Sequence, residues 1–379
     1  MRPMHAIIHI GTQKTGSCAI QNFLFSNHDL LLEQDCLYPL SIASPLPGLH
    51  DHNTLVHRPL LDIRELLRRE LEAQRHARII ISSENLSACM ASVGQVGRVR
   101  KMLEQLGFGE FRVVVWLRES GAMFASLCSQ WLRDGDDQRI DLLPPEDSPR
   151  MRFLLDYRGL LQRWAAVFGE EALEVRLFEQ ECFVRHDLLA DACDAFGLSW
   201  DERFVLPGRV NESLNLLEME VLRAVNRLEH GQVYRPDTPQ HLLFEHLHRH
   251  LGPLDSPELR FAPPQAITAA WREHCAGGND WVRRRFFRGR PELFAAVQPL
   301  EEHDAIPGMK AAWWEALGHV LADLCRENMA LRAALHGGAA PQGAASGADG
   351  KEDRGGQAGS VPDGSTQAGE KRGAGAGPP

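Results

Sequence analysis

The sequence has no apolar run long enough to cross a membrane. A membrane-spanning helix needs about 20 consecutive, mainly apolar residues, and no window of the 379-residue chain provides them. The first apolar segment is short and begins near His5, which leaves no room for a signal peptide or an N-terminal anchor before it. The sequence therefore predicts a cytoplasmic protein without a transmembrane segment.

Paired cysteines are missing as well. The eight cysteines are scattered, and none of them forms a CxxC pair or has the spacing of zinc ligands. Isolated thiols of this kind are typical of a reducing compartment and of small buried apolar side chains. This pattern favours a cytosolic protein whose cysteines stay reduced.

The sequence also lacks an excess of basic residues. It has 41 Lys and Arg against 51 Asp and Glu, for a net charge of -10 at pH 7. Proteins whose main task is to grip nucleic acid usually carry the opposite balance. The composition therefore predicts no nucleic-acid partner, although it leaves room for a local basic pocket.

Short apolar runs alternate with segments of helical periodicity along most of the chain. The runs occupy residues 6–10, 78–82, 111–117 and 173–178. Near-continuous apolar runs of this length are typical of strands buried on both faces of a parallel sheet. We therefore expect an α/β fold, a three-layer sandwich with a central parallel sheet, in which ligands bind beyond the carboxyl ends of the strands.

The C-terminal part has a different character. Residues 235–310 indicate a more helical and irregular part with several prolines, and a last helix is expected over 310–335. From Gly337 onward the chain is mainly Gly, Ala, Ser, Gln and Pro, which cannot bury enough apolar surface to offset its ordering entropy. We predict one domain over residues 1–335 and a disordered tail over residues 336–379.

The segment after the first apolar run has the composition of an anion-binding loop. Gly11 and Gly16 permit a tight turn, Lys14 supplies a charge, and Thr15 and Ser17 supply hydroxyl donors. The N–H groups of such a turn and the N-terminus of the following helix attract an anion. The lysine precedes the second glycine, whereas it follows that glycine in the ATP-binding GxxxxGK[ST] loop. A P-loop-like site for another phosphorylated donor is therefore favoured over a plain strand–helix turn.

The sequence HIGTQKTGSCAIQNFL, residues 9–24, resembles the 5'-phosphosulfate-binding loop of sulfotransferases that use 3'-phosphoadenosine-5'-phosphosulfate (PAPS). Cys18 stands where this family usually has threonine, which removes one hydroxyl donor. The resemblance covers about residues 5–295 and implies a sulfotransferase with PAPS as its donor. It assigns donor binding to the following loop residues: Gly11, Thr12, Gln13, Lys14, Thr15, Gly16, Ser17 and Cys18.

An arginine ends the third apolar run. Arg118 would lie at the carboxyl end of a strand, where a guanidinium can bind a phosphate through two parallel hydrogen bonds, and Ser126 on the next helix can add a hydroxyl. The Arg-x7-Ser spacing resembles the 3'-phosphate-binding element of the same family. Such a pair would reject ATP, which lacks this phosphate. The alternative is a surface arginine paired with Glu119.

Two residues are candidates for the base that deprotonates the acceptor. Glu84 follows the second apolar run, in a segment ISSENL that resembles the strand end that carries the catalytic base in sulfotransferases. A helix-capping or ion-paired carboxylate is the alternative. His52, in the His-rich loop LHDHNTLVH, is the second candidate, with a solvated loop histidine as its alternative. Lys14 is expected to stabilise charge on the bridging oxygen of the donor, and no metal is expected.

Three further segments carry weaker signals. Residues 211–213 read Asn-Glu-Ser and resemble an Asn-x-Ser near the donor site of the family. The basic run 283–285 either helps to hold an anion or forms a solvated helix face. His246 and His250 have the i, i+4 spacing of metal ligands, but without further ligands the sequence favours a solvated polar face.

Together these features predict an enzyme that moves a sulfuryl group from PAPS to a hydroxyl or amine of a small-molecule or glycan acceptor. A P-loop kinase or NTPase would instead depend on ATP and magnesium, and the position of Lys14 counts against it. A non-catalytic nucleotide-binding module on the same fold would bind the donor without turnover. Acceptor loops carry no general code, so carbohydrate, lipid-linked glycan, protein and small metabolite all remain open as acceptors.

Overall fold

A five-stranded parallel sheet organises the fold. The computed structural model describes residues 4–45, 49–74, 76–208, 214–228, 239–254, 256–296 and 308–337. The strand order is β2-β3-β1-β4-β5, and every neighbouring pair is parallel. The strands are β1 (Met4–His9), β2 (Cys36–Leu37), β3 (Arg78–Ser82), β4 (Phe108–Leu117) and β5 (Leu173–Leu177). The predicted α/β fold with a central parallel sheet is confirmed. The sequence contains no apolar run that indicates β2.

Helices connect the strands and make up the C-terminal part. They are α1 (Ser17–Ser26), α2 (His28–Glu33), α3 (Thr54–His57), α4 (Leu60–Ala73), α5 (Asn85–Cys89), α6 (Val93–Gln105), α7 (Ser120–Arg133), α8 (Pro149–Leu155), α9 (Tyr157–Phe168), α10 (Leu188–Phe196), α11 (Leu216–Leu228), α12 (Pro239–Leu251), α13 (Gln265–Phe286) and α14 (Ala311–Gly337). In the part of the chain that the structure describes, no helix is long and apolar enough to cross a membrane.

Alternate residues of the central strands pack on opposite faces of the sheet. Ile7 and Trp116 belong to the core that α1 and α10 complete, whereas Ile8 and Val115 belong to the core that α4, α6 and α9 complete. All four side chains are fully buried. Burial on both faces explains why these strands are continuous apolar runs in the sequence, and it produces the three layers that the sequence predicted.

The chain divides into two units, Met1–Glu327 and Asn328–Pro379. The residues discussed below belong to the first unit, where α11 to α13 follow the sheet in the chain and α13 packs on α7 and α9. The predicted disordered tail lies outside the described residues from position 338 onward, so it stays a prediction.

The strand order brings three strand ends together at one edge of the sheet. Because β1 lies between β3 and β4, the loop that follows β1 is flanked by the residues that follow those two strands. Glu84 comes directly after β3, and Arg118 comes directly after β4. The carboxyl ends of parallel strands form the usual ligand-binding edge of such sheets, and the loop after β1, Glu84 and Arg118 lie there.

Candidate active site

The loop between β1 and α1 folds around the carbonyl of Thr12. This carbonyl accepts hydrogen bonds from Thr15 Oγ1 at 2.7 Å and from Ser17 Oγ at 3.1 Å. Both the backbone N–H and the hydroxyl of Thr12 donate to the carbonyl of Trp116, which fixes the loop to β4. Since Thr15 and Ser17 already donate to a carbonyl, each would have to turn away from it to donate to a phosphate.

The first turn of α1 is open to an anion. Gly16, the residue before the helix, has a φ of 75°, and a Cβ at this position would lie 2.3 Å from Leu188 Cδ2. The left-handed conformation favours glycine here, and a larger residue would also have to displace the end of the Leu188 side chain. No side chain caps α1 in the described structure. The N-terminus of α1 directs the positive end of the helix dipole at this turn, and helix N-termini of this kind bind phosphate and sulfate groups.

Lys14 is held by both its backbone and its side chain. Its φ of 60° is uncommon for a residue other than glycine. Its carbonyl accepts a hydrogen bond from Arg118 Nη1 at 2.9 Å, and its Nζ donates to Gln130 Oε1 at 3.2 Å. Burial lowers the pKa of Lys14, the Arg133 guanidinium lowers it further, and the Glu84 carboxylate opposes both effects.

Arg118 is free of the carboxylate that was its alternative partner. Glu119 instead accepts hydrogen bonds from the N–H groups of Gly121 and Ala122 at the start of α7, and from Arg272 Nε of α13 at 2.8 Å. Within the described residues, Arg118 makes no ion pair. Its guanidinium lies 5.6 Å from the centroid of the Phe178 ring and donates a hydrogen bond to the Lys14 carbonyl in the loop after β1.

A cavity of about 580 Å³ begins at Arg118. This volume lies within the range of about 300–1,000 Å³ that is usual for small-molecule sites. Ser126 of α7 and Arg260 are also among its lining residues. Among the lining residues that the structure describes, none is acidic, although the whole chain has a net negative charge. The lining residues are Arg118, Ala122, Ala125, Ser126, Ser129, Leu214, Asn215, Gly252, Pro253, Leu254, Ser256, Leu259, Arg260 and Phe261.

Glu84 lies against the other side of the loop. A Cβ added to Gly11 would be 3.1 Å from Glu84 Cα, so the backbones of the loop and of the segment after β3 are in close contact. Burial raises the pKa of Glu84 to about 7, and the charge of Asp51 adds to this shift. Lys14 and the nearby Ser17 hydroxyl act in the opposite direction. The carboxyl group is therefore poised to exchange a proton near neutral pH.

We expect Glu84→Gln to stabilise the folded protein near pH 8 and to have little effect near pH 4.5. The folded state raises the pKa of this carboxyl from its ordinary 4.5 to about 7, so wild-type stability falls as the pH rises through this window. Glutamine is neutral at every pH and avoids that loss. Calorimetric unfolding midpoints at the two pH values check the prediction, with the exposed Glu202→Gln as the control. Equal shifts at both pH values would contradict a raised pKa.

His52 lies in the protein interior and not on the exposed surface of its His-rich loop. It is fully buried, its Nε2 hydrogen-bonds to the carbonyl of Pro39 at 2.8 Å, and its Nδ1 accepts from the N–H of Ser82 at 3.0 Å. Burial lowers its pKa to about 3. With both ring nitrogens engaged and the neutral form favoured, His52 fixes its loop to β3 and offers no nitrogen to an acceptor.

Comparison with known proteins assigns no family to the chain. No family model matches the chain, and no curated protein matches it. Among solved structures, the chain is similar to a sulfotransferase from Alicyclobacillus acidocaldarius, with 18% sequence identity and a TM-score of 0.36. The similarity covers 62% of this chain and 98% of that chain. A similarity of this size assigns no family to the chain.

The three weaker sequence signals have different outcomes. Residues 211–213 lie outside the described residues. In the basic run, Arg283 and Arg284 pair with Asp280, and Arg285 pairs with Glu170, so these charges are compensated within the protein.

The solvated face expected for the helix histidines is wrong for His246. This side chain is buried and hydrogen-bonds to Glu327 at 3.1 Å, while His250 hydrogen-bonds to Asp323 at 2.5 Å. In the part of the chain that the structure describes, no group of three or more His, Cys, Asp or Glu residues is suited to hold a metal.

Arg260 is the functional candidate that sequence reasoning missed. It follows a short 3-10 turn (Pro257–Leu259) in a segment without helical or strand periodicity. It has no side-chain partner among the described residues, and it faces the same cavity as Arg118. Only the tertiary fold brings the two guanidinium groups to one cavity, so no spacing in the sequence could have signalled it.

Proposed function

We propose that this chain is a PAPS-dependent sulfotransferase. The observation that carries the proposal is the hydrogen bond of 2.9 Å between Arg118 Nη1 and the Lys14 carbonyl. It joins the loop after β1 to the arginine after β4, and in this proposal each of the two binds one anionic group of the same ligand. A nucleotide with phosphate groups at both its 3' and 5' positions requires that arrangement.

The cavity beyond Arg118 supports the same proposal. Its two arginines favour a ligand with more than one negative charge, while Leu254 and Phe261 offer apolar surface for the adenine ring. In this proposal the 3'-phosphate binds at Arg118 and Ser126. The 5'-phosphosulfate binds at the open end of α1, beside Lys14.

The side chains around the loop have the chemistry that sulfuryl transfer needs. PAPS supplies a sulfuryl group bonded to a phosphate oxygen, and the Lys14 ammonium would stabilise the charge on that oxygen as the S–O bond breaks. Glu84 would accept the proton of the attacking hydroxyl or amine. Its pKa of about 7 suits a base that works near neutral pH.

The proposal includes a small-molecule or glycan acceptor and a cytoplasmic location. The acceptor must carry a nucleophilic hydroxyl or amine, because the base candidate is a single carboxylate that removes one proton. The location is supported by the cysteines, all eight of which are free thiols.

Calorimetry with 3'-phosphoadenosine-5'-phosphate (PAP), the desulfated product, and ADP tests the proposal. We expect the full chain to bind PAP more tightly than ADP, because ADP leaves the Arg118 pocket without its phosphate. Arg118→Ala should weaken PAP binding by about 10–100-fold, the effect of losing hydrogen bonds to a charged group. Arg118→Lys, which keeps the charge but not the paired hydrogen bonds, should fall between.

Arg288→Ala is the matched control, because Arg288 is exposed and lies outside the cavity lining. It should bind PAP as the wild type does. A clear preference of the wild type for ADP would favour a kinase or NTPase and overturn the proposal. Tight PAP binding without any sulfate release, and without an effect of Glu84→Gln, would favour a non-catalytic module.

A further inference from the structure

The Lys14 ammonium begins a series of two hydrogen bonds to which the proposed mechanism assigns no role. Its Nζ donates to Gln130 Oε1 at 3.2 Å, and Gln130 Nε2 donates to Asp134 Oδ1 at 2.9 Å. Gln130 belongs to the last turn of α7, and Asp134 is the residue that ends this helix. The two hydrogen bonds therefore connect the candidate catalytic lysine to Asp134 at the surface.

The chemistry of the two end groups fixes the amide between them. An ammonium is a donor only, so it needs the amide oxygen, and an ionised carboxylate is an acceptor only, so it needs the amide nitrogen. Asp134 therefore determines which end of the Gln130 amide faces Lys14. If the amide turned over, its NH₂ group would point at the ammonium and the lysine would lose its acceptor.

Helix α7 connects these hydrogen bonds to the cavity lined by Arg118. Ser126 and Gln130 are four residues apart on α7, so they lie on one face of the helix. Ser126 lines the cavity that begins at Arg118, and Gln130 contacts Lys14. One rigid element thus sets the distance between a candidate phosphate ligand and the candidate catalytic ammonium.

We propose that Gln130, oriented by Asp134, is a positioning residue that holds the Lys14 ammonium at the bridging oxygen of the donor. The proposal rests on the proposed function for the identity of that oxygen. Gln130 does not touch the reacting bond in this account. It limits the rotamers of a long, flexible side chain, so that the ammonium needs little reorganisation when charge develops.

Nuclear magnetic resonance of the lysine side chains tests the contact without any donor. The chain has only five lysines, Lys14, Lys101, Lys310, Lys351 and Lys371, so the ¹³Cε signal of Lys14 is assigned with one Lys14→Arg variant. The titratable groups that act on the pKa of Lys14 are Arg133, Cys18, Glu84 and Arg118, and Asp134 interacts with its charge as well. We expect Gln130→Met to lower the pKa of Lys14 and Gln130→Glu to raise it, because one removes an acceptor and the other adds a negative charge.

Sulfate release from PAPS, with water as the acceptor, tests the catalytic consequence. Gln130→Met should slow release by about tenfold, in line with the loss of one hydrogen bond to a charged group. Asp134→Ala should slow it by about two- to fivefold, since the amide then loses its orientation but keeps its oxygen. The Kd for PAP should stay within about twofold of wild type in both variants, because neither residue is assigned to the nucleotide.

The double variant shows whether Asp134 acts through Gln130. Gln130→Met with Asp134→Ala should be no slower than Gln130→Met alone, whereas two independent structural effects would add. The alkaline limb of the pH–rate profile should move to higher pH in Gln130→Glu and to lower pH in Gln130→Met, because the reaction needs the protonated lysine. Gln162→Met, an exposed glutamine of α9, is the matched control and should leave rate and profile unchanged.

The outcomes separate this inference from the proposed function. If wild type binds PAP and releases sulfate but Gln130→Met changes neither the rate nor the pKa of Lys14, the positioning role is wrong and the sulfotransferase proposal stands. If wild type fails to bind PAP, the proposed function is wrong, and an unchanged pKa of Lys14 in Gln130→Met would also exclude the contact itself.

Discussion

Glu84→Gln is expected to slow sulfate release from PAPS by about 10²–10⁴-fold, the usual contribution of a positioned base. Glutamine has nearly the same shape but cannot accept a proton from the attacking group. The affinity for PAP should be unchanged or slightly higher, because the substitution removes a negative charge beside the anion-binding loop. Single-turnover release of labelled sulfate, together with calorimetric titration of PAP, measures both quantities.

The pH dependence makes this prediction specific to Glu84. The base works as a carboxylate, and its pKa is raised to about 7. The wild-type rate should therefore rise as the pH increases through 7, and Glu84→Gln should lose this limb of the profile. Glu202→Gln, an exposed carboxylate distant in sequence from the loop, should keep both the rate and the limb. A Glu84→Gln variant that retains the acidic limb would assign the base to another residue.

Lys14→Met should reduce sulfate release by about 10²–10³-fold, the effect of removing one donor from a site of developing negative charge. Methionine keeps the aliphatic part of the side chain and removes the ammonium. PAP should still bind, with a smaller loss of affinity, since the open end of α1 and Arg118 remain. The large effect is therefore expected on the rate and not on the Kd.

Lys14→Arg provides the comparison for this variant. It keeps a positive charge but places it farther from the loop, so it should recover part of the rate. Lys101→Met, on the exposed side of α6, should behave as wild type. If Lys14→Met weakened PAP binding strongly while the rate at saturating PAPS was unaffected, the lysine would be a ligand for the nucleotide and not a catalytic group.

The sequence was sufficient for the parts of the site that follow strands. Buried parallel strands are visible as apolar runs, and the residues after them must gather at one edge of the sheet. The loop of β1, Glu84 and Arg118 are all in this class. The structure brings them together, although their roles stay predictions until the experiments above are done.

Residues whose place depends on the tertiary fold were beyond sequence reasoning. His52 lies in a polar, His-rich loop, and only the fold shows that this loop turns inward and engages both ring nitrogens. Asn27 separates α1 from α2, and its side chain exchanges hydrogen bonds with the backbone of Val205. Such long-range polar contacts leave no periodic pattern in the sequence.

Glu119 caps the start of α7, but its side chain depends on a partner that comes much later in the sequence. Burial alone would raise its pKa, but hydrogen bonds from Arg272 and from the first amides of α7 lower it. Arg272 follows it by 153 positions. During synthesis, α7 therefore emerges from the ribosome long before the partner that holds its cap in place. A nascent chain that ends before α13 contains the loop after β1 but lacks the arginine that pairs with the capping carboxylate of α7.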